Sequence, residues 1–217
     1  MCGIAGFVNL NGGKPPLREE LKPMIEAVYH RGPDGYGYYH DQHVGLAHAR
    51  LSIIDLAGGD QPIRNEDATL QVVFNGEIFN YLELRDSLQQ QGHRFYTHSD
   101  TEVIVHLYEQ HGLDFVQHLN GQFAIALWDT QNRRLVLARD RTGIRPLFYA
   151  RQNNRLYFAS EVKSLFAHQD IPRQFDLRGL QQIFTFWATL PPETLFAGVE
   201  MLPPGSVSYT HLRAHET

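Results

Sequence analysis

Apolar and polar positions alternate along this chain in blocks that read as separate runs of strand and helix. Residues 2–10 are apolar almost throughout and end at Asn11-Gly12-Gly13, which predicts a buried first strand. Leu17, Leu21, Met24, Ile25 and Val28 then fall at helical spacing. Pro23 interrupts that stripe, so the expected helix is short and starts near the proline. Residues 44–56 read as β structure ending at Gly58-Gly59-Asp60, and 70–74 as a second β run stopping at Asn75-Gly76-Glu77. Two capping boxes are predicted, Asn80 with Glu83 and Ser99 with Glu102. The first opens a helix through Leu84 and Leu88 to Gly92; the second opens one faced by Val103, Ile104, Leu107 and Tyr108 and stopping at Gly112.

From Gln122 onward the period changes from helical to short strands, at 123–128, 134–138, 146–150 and 156–159, with tight turns between them. Short connections imply antiparallel pairing. Ser160 is placed to cap a short helix through Leu165, and Asp176 another through Phe184. Strands and helices in separate blocks predict an α+β fold with layered elements and no parallel βαβ winding.

Composition narrows the function. The 217 residues are 42% hydrophobic and 20% charged with a net charge of −5, which argues against a general nucleic-acid binder. No run approaches the length of a membrane span, and neither a signal-peptide pattern nor a myristoylation pattern is present. The 12 histidines are scattered, and a single cysteine can build neither a Cys-rich zinc site nor an internal disulfide. No metal is therefore expected, the histidines read as solvated or core residues, and the lone thiol suits a reducing cytoplasm.

That one cysteine is Cys2, directly after Met1. Removal of Met1 would leave nucleophile and α-amine on one residue, and an amine titrating near ~7.7–8.0 can take the thiol proton. The plain alternative is a small buried hydrophobe. Similar pairs of readings attach to other residues. His30-Arg31-Gly32-Pro33-Asp34-Gly35 is a tight surface loop or a rigid site wall shaped by Arg31 and Asp34. Arg50 is an edge-strand arginine or a carboxylate clamp. Asn75-Gly76 is a hairpin turn or an oxyanion hole built from a side-chain amide and a glycine N–H. Asp100 is a first-turn acid or faces a ligand amine.

Taken together, Cys2-Gly3-Ile4-Ala5-Gly6, His30-Arg31-Gly32-Pro33-Asp34-Gly35, Arg50-Leu51-Ser52-Ile53-Ile54-Asp55, Asn75-Gly76-Glu77-Ile78-Phe79-Asn80-Tyr81, Ser99-Asp100-Thr101-Glu102 and the run from Arg139 through Asp140, Gly143 and Arg145 to Leu147 resemble a known domain. They resemble the glutaminase domain of class II glutamine amidotransferases, most of all that of glutamine-hydrolysing asparagine synthetases. The resemblance implies a four-layer αββα sandwich of the N-terminal-nucleophile hydrolase type, and L-glutamine as substrate. It implies that Cys2 attacks the side-chain amide with its own α-amine as base, and that Asn75 and the Gly76 N–H hold the oxyanion. Arg50 would bind the substrate carboxylate, Glu77 and Asp100 its ammonium, and Leu51 and Ile53 would complete the substrate wall.

The resemblance also divides the chain. Residues 1–174 would be the glutaminase domain and 175–205 the start of a linker toward an ATP-dependent synthetase domain, whose Ser-Gly-Gly-x-Asp-Ser loop does not occur here. Residues 206–217 form a tail of uncertain origin. A divergent strand, a disordered end and sequence foreign to the gene are the three readings, the last two preferred. No cofactor is expected for glutamine hydrolysis; ATP and magnesium would belong to the absent domain. Nucleic acid and membrane are not expected partners, and a homodimer is compatible with the resemblance. Two rivals are a β-lactam-forming relative, against which Cys2 counts, and a regulatory module that retains Met1.

Overall fold

The computed structural model describes residues 1–212, without the side chain of His211. Eleven strands fall into two antiparallel sheets. They are β1 Gly3–Asn9, β2 Gly35–His40, β3 Val44–Arg50, β4 Ile63–Arg64, β5 Leu70–Ile78, β6 Gly121–Asp129, β7 Arg134–Arg139, β8 Phe148–Gln152, β9 Arg155–Ala159, β10 Val199–Met201 and β11 Val207–His211. The first sheet has the order β10-β8-β9-β1-β3-β2 and the second β11-β7-β6-β5-β4. Five α-helices accompany them: α1 Arg18–Glu26, α2 Tyr81–Gln90, α3 Glu102–His111, α4 Val162–Leu165 and α5 Leu177–Phe186.

Period-two alternation sorts the core into three slabs. Ile4 and Val8 of β1, Val44 and Leu46 of β3, Val73 of β5 and Ala124, Ala126 and Trp128 of β6 fill the space between the sheets. The intervening residues face outward. Ala5, Phe7, Ala47 and Ala49 pack under Leu21, Met24 and Ile25 of α1 and Leu165 of α4. Val72, Phe74, Ile125 and Leu127 pack under Leu88 of α2 and Val103, Ile104 and Leu107 of α3. Three apolar slabs between four layers make the αββα sandwich. Strands covered on both faces also explain why 2–10 reads as one continuous apolar run.

Several local expectations are corrected. α1 starts at Arg18, well before Pro23, which lies inside it. The Glu20 carboxylate accepts from the Leu17 N–H at 3.0 Å and fixes the start, while burial of Leu21, Met24 and Ile25 offsets the backbone bond the proline removes. β3 ends at Arg50, and 51–56 is a loop. β5 does not turn at Asn75-Gly76 but runs on to Ile78, with Asn75 opposite Ala124 and Gly76 opposite Phe123. A Cβ on Gly76 would lie 2.1 Å from the Gln122 carbonyl oxygen, so this glycine serves close strand approach, not a turn. Neither helix N-terminus at Asn80 or Ser99 carries its capping box. Asn80 instead accepts from the Asn120 N–H and donates to the His118 carbonyl, and Glu102 accepts from the Tyr96 and Thr97 N–H groups. Ser160 accepts from the Ile4 N–H across the sheet, leaving Glu161 at the start of α4. Asp176 does cap α5, accepting from the Arg178 and Gly179 N–H groups.

The C-terminal segment joins the sandwich. β10 pairs with β8, and Val207–His211 forms β11 along β7, in register from Val207 opposite Ala138 to His211 opposite Arg134. Of the three readings of the tail, the strand is the one this part follows; residues 213–217 lie outside the described residues.

Candidate active site

The same alternation that builds the core delivers the site. Cys2 has the parity of Ile4 and Val8, Arg50 that of Val44 and Leu46, and Asn75 and Glu77 that of Val73, so all four point into the space between the sheets at its open end. There a cavity of about 180 Å³ is lined by Cys2, Arg50, Leu51, Ile53, Asn75, Gly76, Glu77 and Asp100, every candidate residue named from the sequence. Met1, Gln61, Thr101 and Arg145 line it as well.

Cys2 is anchored from three directions. Gly3 pairs with Ala49 in the sheet, the Arg31 Nε–H donates to the Cys2 carbonyl at 2.9 Å, and the Leu51 N–H donates to Sγ at 3.4 Å. Arg31 is itself held by Glu161 at 2.9 Å, and the Asp34 carboxylate accepts from the Ser52 N–H at 2.7 Å. The loop 30–35 therefore ties Cys2 to the segment after β3 from behind, and none of its residues lines the cavity. Burial raises the pKa of the Cys2 thiol, although the Leu51 hydrogen bond opposes the rise. Such a thiol stays protonated at neutral pH and needs a base. The terminal amine is shifted the opposite way: burial lowers its pKa, and the Arg31 and Arg145 charges lower it further, which favours a free base. With Met1 in place, that amine belongs to Met1 and the Cys2 nitrogen is an amide.

Asn75 is fully buried, and neither its Oδ1 nor its Nδ2 has a hydrogen-bond partner among the described residues. A buried, unsatisfied amide costs on the order of 1–3 kcal/mol, which a ligand group at the cavity can relieve. The neighbouring N–H groups follow strand geometry. The Phe74 N–H donates to Gln61 Oε1 at 2.6 Å and the Ile78 N–H to Asp100 Oδ2 at 3.0 Å, both away from β6. The Gly76 N–H lies midway between them in the strand and points the same way, at the cavity edge.

Arg50 is wrapped by the loop after its own strand. Its Nη2 donates to the Asp55 carbonyl at 2.6 Å; its Nη1 donates to Asp60 Oδ1 at 2.6 Å and to the Leu56 carbonyl at 3.3 Å. A guanidinium has five N–H donors, so capacity remains for a ligand carboxylate. Asp100 is buried and held by the Ile78 N–H and the Ser99 hydroxyl. Burial, with the charge of Glu77 adding to it, raises its pKa above the ordinary carboxylate value despite those hydrogen bonds. A cation placed beside it would restore the ionised form.

Sequence reasoning missed Arg145. It is buried at the cavity wall, and its Nε has no partner among the described residues. Asp140 places it, accepting from the N–H groups of Phe123, Thr142, Ile144 and Arg145 at 3.0–3.1 Å. The signal was a conspicuous run of charge at Arg139, Asp140, Arg141 and Arg145 in a strand-to-strand connection. Gln61 was missed too; it bridges the Phe74 N–H and the Thr101 hydroxyl and so joins β5 to the start of α3.

Two antiparallel sheets stacked face to face between helices, with a cysteine at the mouth of the inter-sheet space, make this an αββα-sandwich protein with a thiol-bearing cavity. All 217 residues match the family model of the glutamine amidotransferase domain, and the chain belongs to that family. It is 50% identical over 181 residues to asparagine synthetase [glutamine-hydrolyzing] 2 of Bacillus subtilis, covering 81% of this chain and 24% of that protein. It is 45% identical over 213 residues to asparagine synthetase [glutamine-hydrolyzing] 1 of the same organism, covering 95% of this chain and 33% of that protein. The chain thus spans about a quarter to a third of the length of these relatives. Among solved structures, glutamine phosphoribosylpyrophosphate amidotransferase from B. subtilis superposes with a TM-score of 0.64 at 18% identity, over 99% of this chain and 50% of that one. That likeness establishes the shared fold. Among the described residues no helix is long and apolar enough to cross a membrane.

Proposed function

We propose that this chain hydrolyses L-glutamine to glutamate and ammonia, as the ammonia-supplying part of an asparagine synthetase. The observation that carries the reading is one cavity lined by a thiol, an unsatisfied buried amide, a guanidinium and two carboxylates. Glutamine offers a matching set: an electrophilic amide at one end, a carboxylate and an ammonium at the other. Arg50 takes the carboxylate in a bidentate pair. Glu77 and Asp100 take the ammonium, and Leu51 and Ile53 line the methylene stem.

After Met1 is removed, the Cys2 amine accepts the thiol proton and Sγ attacks the side-chain carbonyl carbon. The oxyanion is held by Asn75 Nδ2 and the Gly76 N–H. The protonated amine then donates to the departing nitrogen, ammonia leaves, and water hydrolyses the thioester to release glutamate. Arg31, braced by Glu161 and bonded to the Cys2 carbonyl, keeps the terminal residue fixed through both steps. No cofactor enters this chemistry. ATP and magnesium would belong to the synthetase domain of the longer relatives; 1–174 is the glutaminase unit of this reading and 175–205 the lead toward that domain, a lead that also adds β10 to the edge of the first sheet. The cytoplasm is the compartment we assign, on the strength of the single thiol and the biosynthetic relatives. The test is glutamate release from glutamine by the Met1-processed chain. Cys2→Ala should lose turnover entirely; activity retained in that variant contradicts the assignment.

A further inference from the structure

Away from the cavity, four side chains from three separate segments converge. Glu66 follows β4, His93 follows α2, and His106 and Glu109 stand one turn apart on α3. Each offers one donor atom, and these atoms all lie within 4.8 Å of one another. His106 Nδ1 is 3.0 Å from Glu109 Oε2 and 3.5 Å from Glu66 Oε2. His93 Nδ1 is 3.4 Å from Glu109 Oε2 and 3.7 Å from Glu66 Oε1. A tetrahedral metal with bonds of about 2.0–2.2 Å separates its donors by roughly 3.3–3.6 Å. The closest contacts, 3.0–3.7 Å, bracket that edge, with Glu66 reaching the two imidazoles through different oxygens; the remaining pairs lie within 4.8 Å and close on an ion by side-chain rotation.

We propose that Glu66, His93, His106 and Glu109 form a structural zinc site. Two imidazoles with two carboxylates suit zinc and its transition-metal neighbours, whereas magnesium and calcium favour sites made of oxygen alone. Two carboxylates also balance the charge of a divalent ion held by two neutral imidazoles. The donors are supported from behind, as metal ligands are. Asn65 Nδ2 donates to Glu109 Oε1 at 2.8 Å, the Arg94 N–H to Glu66 Oε1 at 2.7 Å, and the Gln110 amide lies 2.8 Å from His93 Nε2. His106 is completely buried and packs tilted against Phe95 with ring centroids 4.4 Å apart, and its Nδ1 faces Glu109 and Glu66. Glu66 and Glu109 keep a third of their side-chain surface or less exposed, which leaves an entry path.

None of the four lines the cavity around Cys2. The site acts as a staple: it fastens the segments holding Glu66 and His93 to α3, whose first turn adjoins Asp100 and Thr101. It plays no part in the proposed glutamine chemistry and stands or falls separately from it.

The experiment is metal binding by the purified 217-residue chain. After loading with zinc and gel filtration, elemental analysis should find one zinc per chain, and cobalt(II) should give the visible absorption of a tetrahedral site. His93→Ala and Glu66→Gln should each weaken binding by on the order of 100-fold or more, since loss of second-shell partners alone costs 10–100-fold. Glu66→Gln changes a partly exposed side chain and keeps the test readable if His93→Ala fails to fold. His111→Ala, which breaks the stacked His111–His118 pair at 3.9 Å, and Cys2→Ser should bind as the parent does. Absence of retained zinc in the parent, or equal binding in the Glu66 variant, overturns the proposal and leaves the cluster as a set of histidine–carboxylate ion pairs.

Discussion

Asn75 and Asp100 are two cavity residues whose burial costs the fold. Asn75 has both amide atoms unpaired, and Asp100 has its carboxyl pushed toward the neutral form. If Asn75 exists to hold an oxyanion, Asn75→Ala should lower kcat by about 10²–10³ with little change in KM; a raised KM at constant kcat would make it a binding residue instead. Asp100 gives a prediction of opposite sign for stability and function. A carboxyl whose folded pKa is raised favours the native state below the unfolded value near ~3.9 and loses that contribution as pH rises through the folded pKa. At neutral pH Asp100 therefore weighs against the folded state. Asp100→Asn should raise Tm at pH 7 while raising KM for glutamine. A lower Tm with unchanged KM would reduce it to a helix-start residue. At this scale the residues that line the cavity were legible, because thiol, amide, guanidinium and carboxylates are distinctive chemistry at distinctive positions. The backbone setting of Gly76 was not. Asn-Gly is locally a turn signal, and only the Gln122 backbone pressed against it reveals a strand.

Among the elements, the connection between β7 and β8 depends on one carboxylate. Asp140 gathers four backbone N–H groups and the Thr142 hydroxyl, and those bonds hold its pKa below the ordinary value although burial pushes upward. Its contribution is present above the unfolded pKa near ~3.9 and is lost as pH falls through the depressed folded value. Asp140→Asn leaves two N–H groups facing an amide nitrogen whichever way it is turned, so it should cost about 1–3 kcal/mol at pH 7. Urea titrations at pH 7 and pH 3 should show the gap between the two proteins closing in acid; a gap that persists unchanged at pH 3 would mean the carboxylate charge is not what holds the loop. Strands and helices were legible wherever periodicity was long. Their ends were not: the capping pattern at Asn80 and Ser99 was outcompeted by longer-range partners, and Pro23 was outweighed by the apolar stripe that continues on both sides of it.

For the whole molecule, the layer count followed from resemblance, and the pairing order of eleven strands could not be read from periodicity. The cavity exists because two sheets meet face to face, a non-local fact. The His93–His106 cluster is the clearest case, since residues scattered in sequence converge only once α3 packs beside the loop after α2. The proposed division of labour makes a whole-chain prediction. Acting alone, the 217 residues should release glutamate at a rate unchanged by ATP, magnesium and aspartate, with ammonia free in solution. Asparagine or pyrophosphate in those reactions would mean a synthetase site lies within the chain. The central claim is narrower: the base is the α-amine of Cys2, which exists only when Met1 is gone. The direct measurement is intact mass and glutamine turnover on the same two preparations, one retaining Met1 and one processed by a methionine aminopeptidase. Turnover confined to the fraction whose mass lacks Met1 is the predicted result; equal turnover by chains that retain Met1 would contradict the terminal-base mechanism.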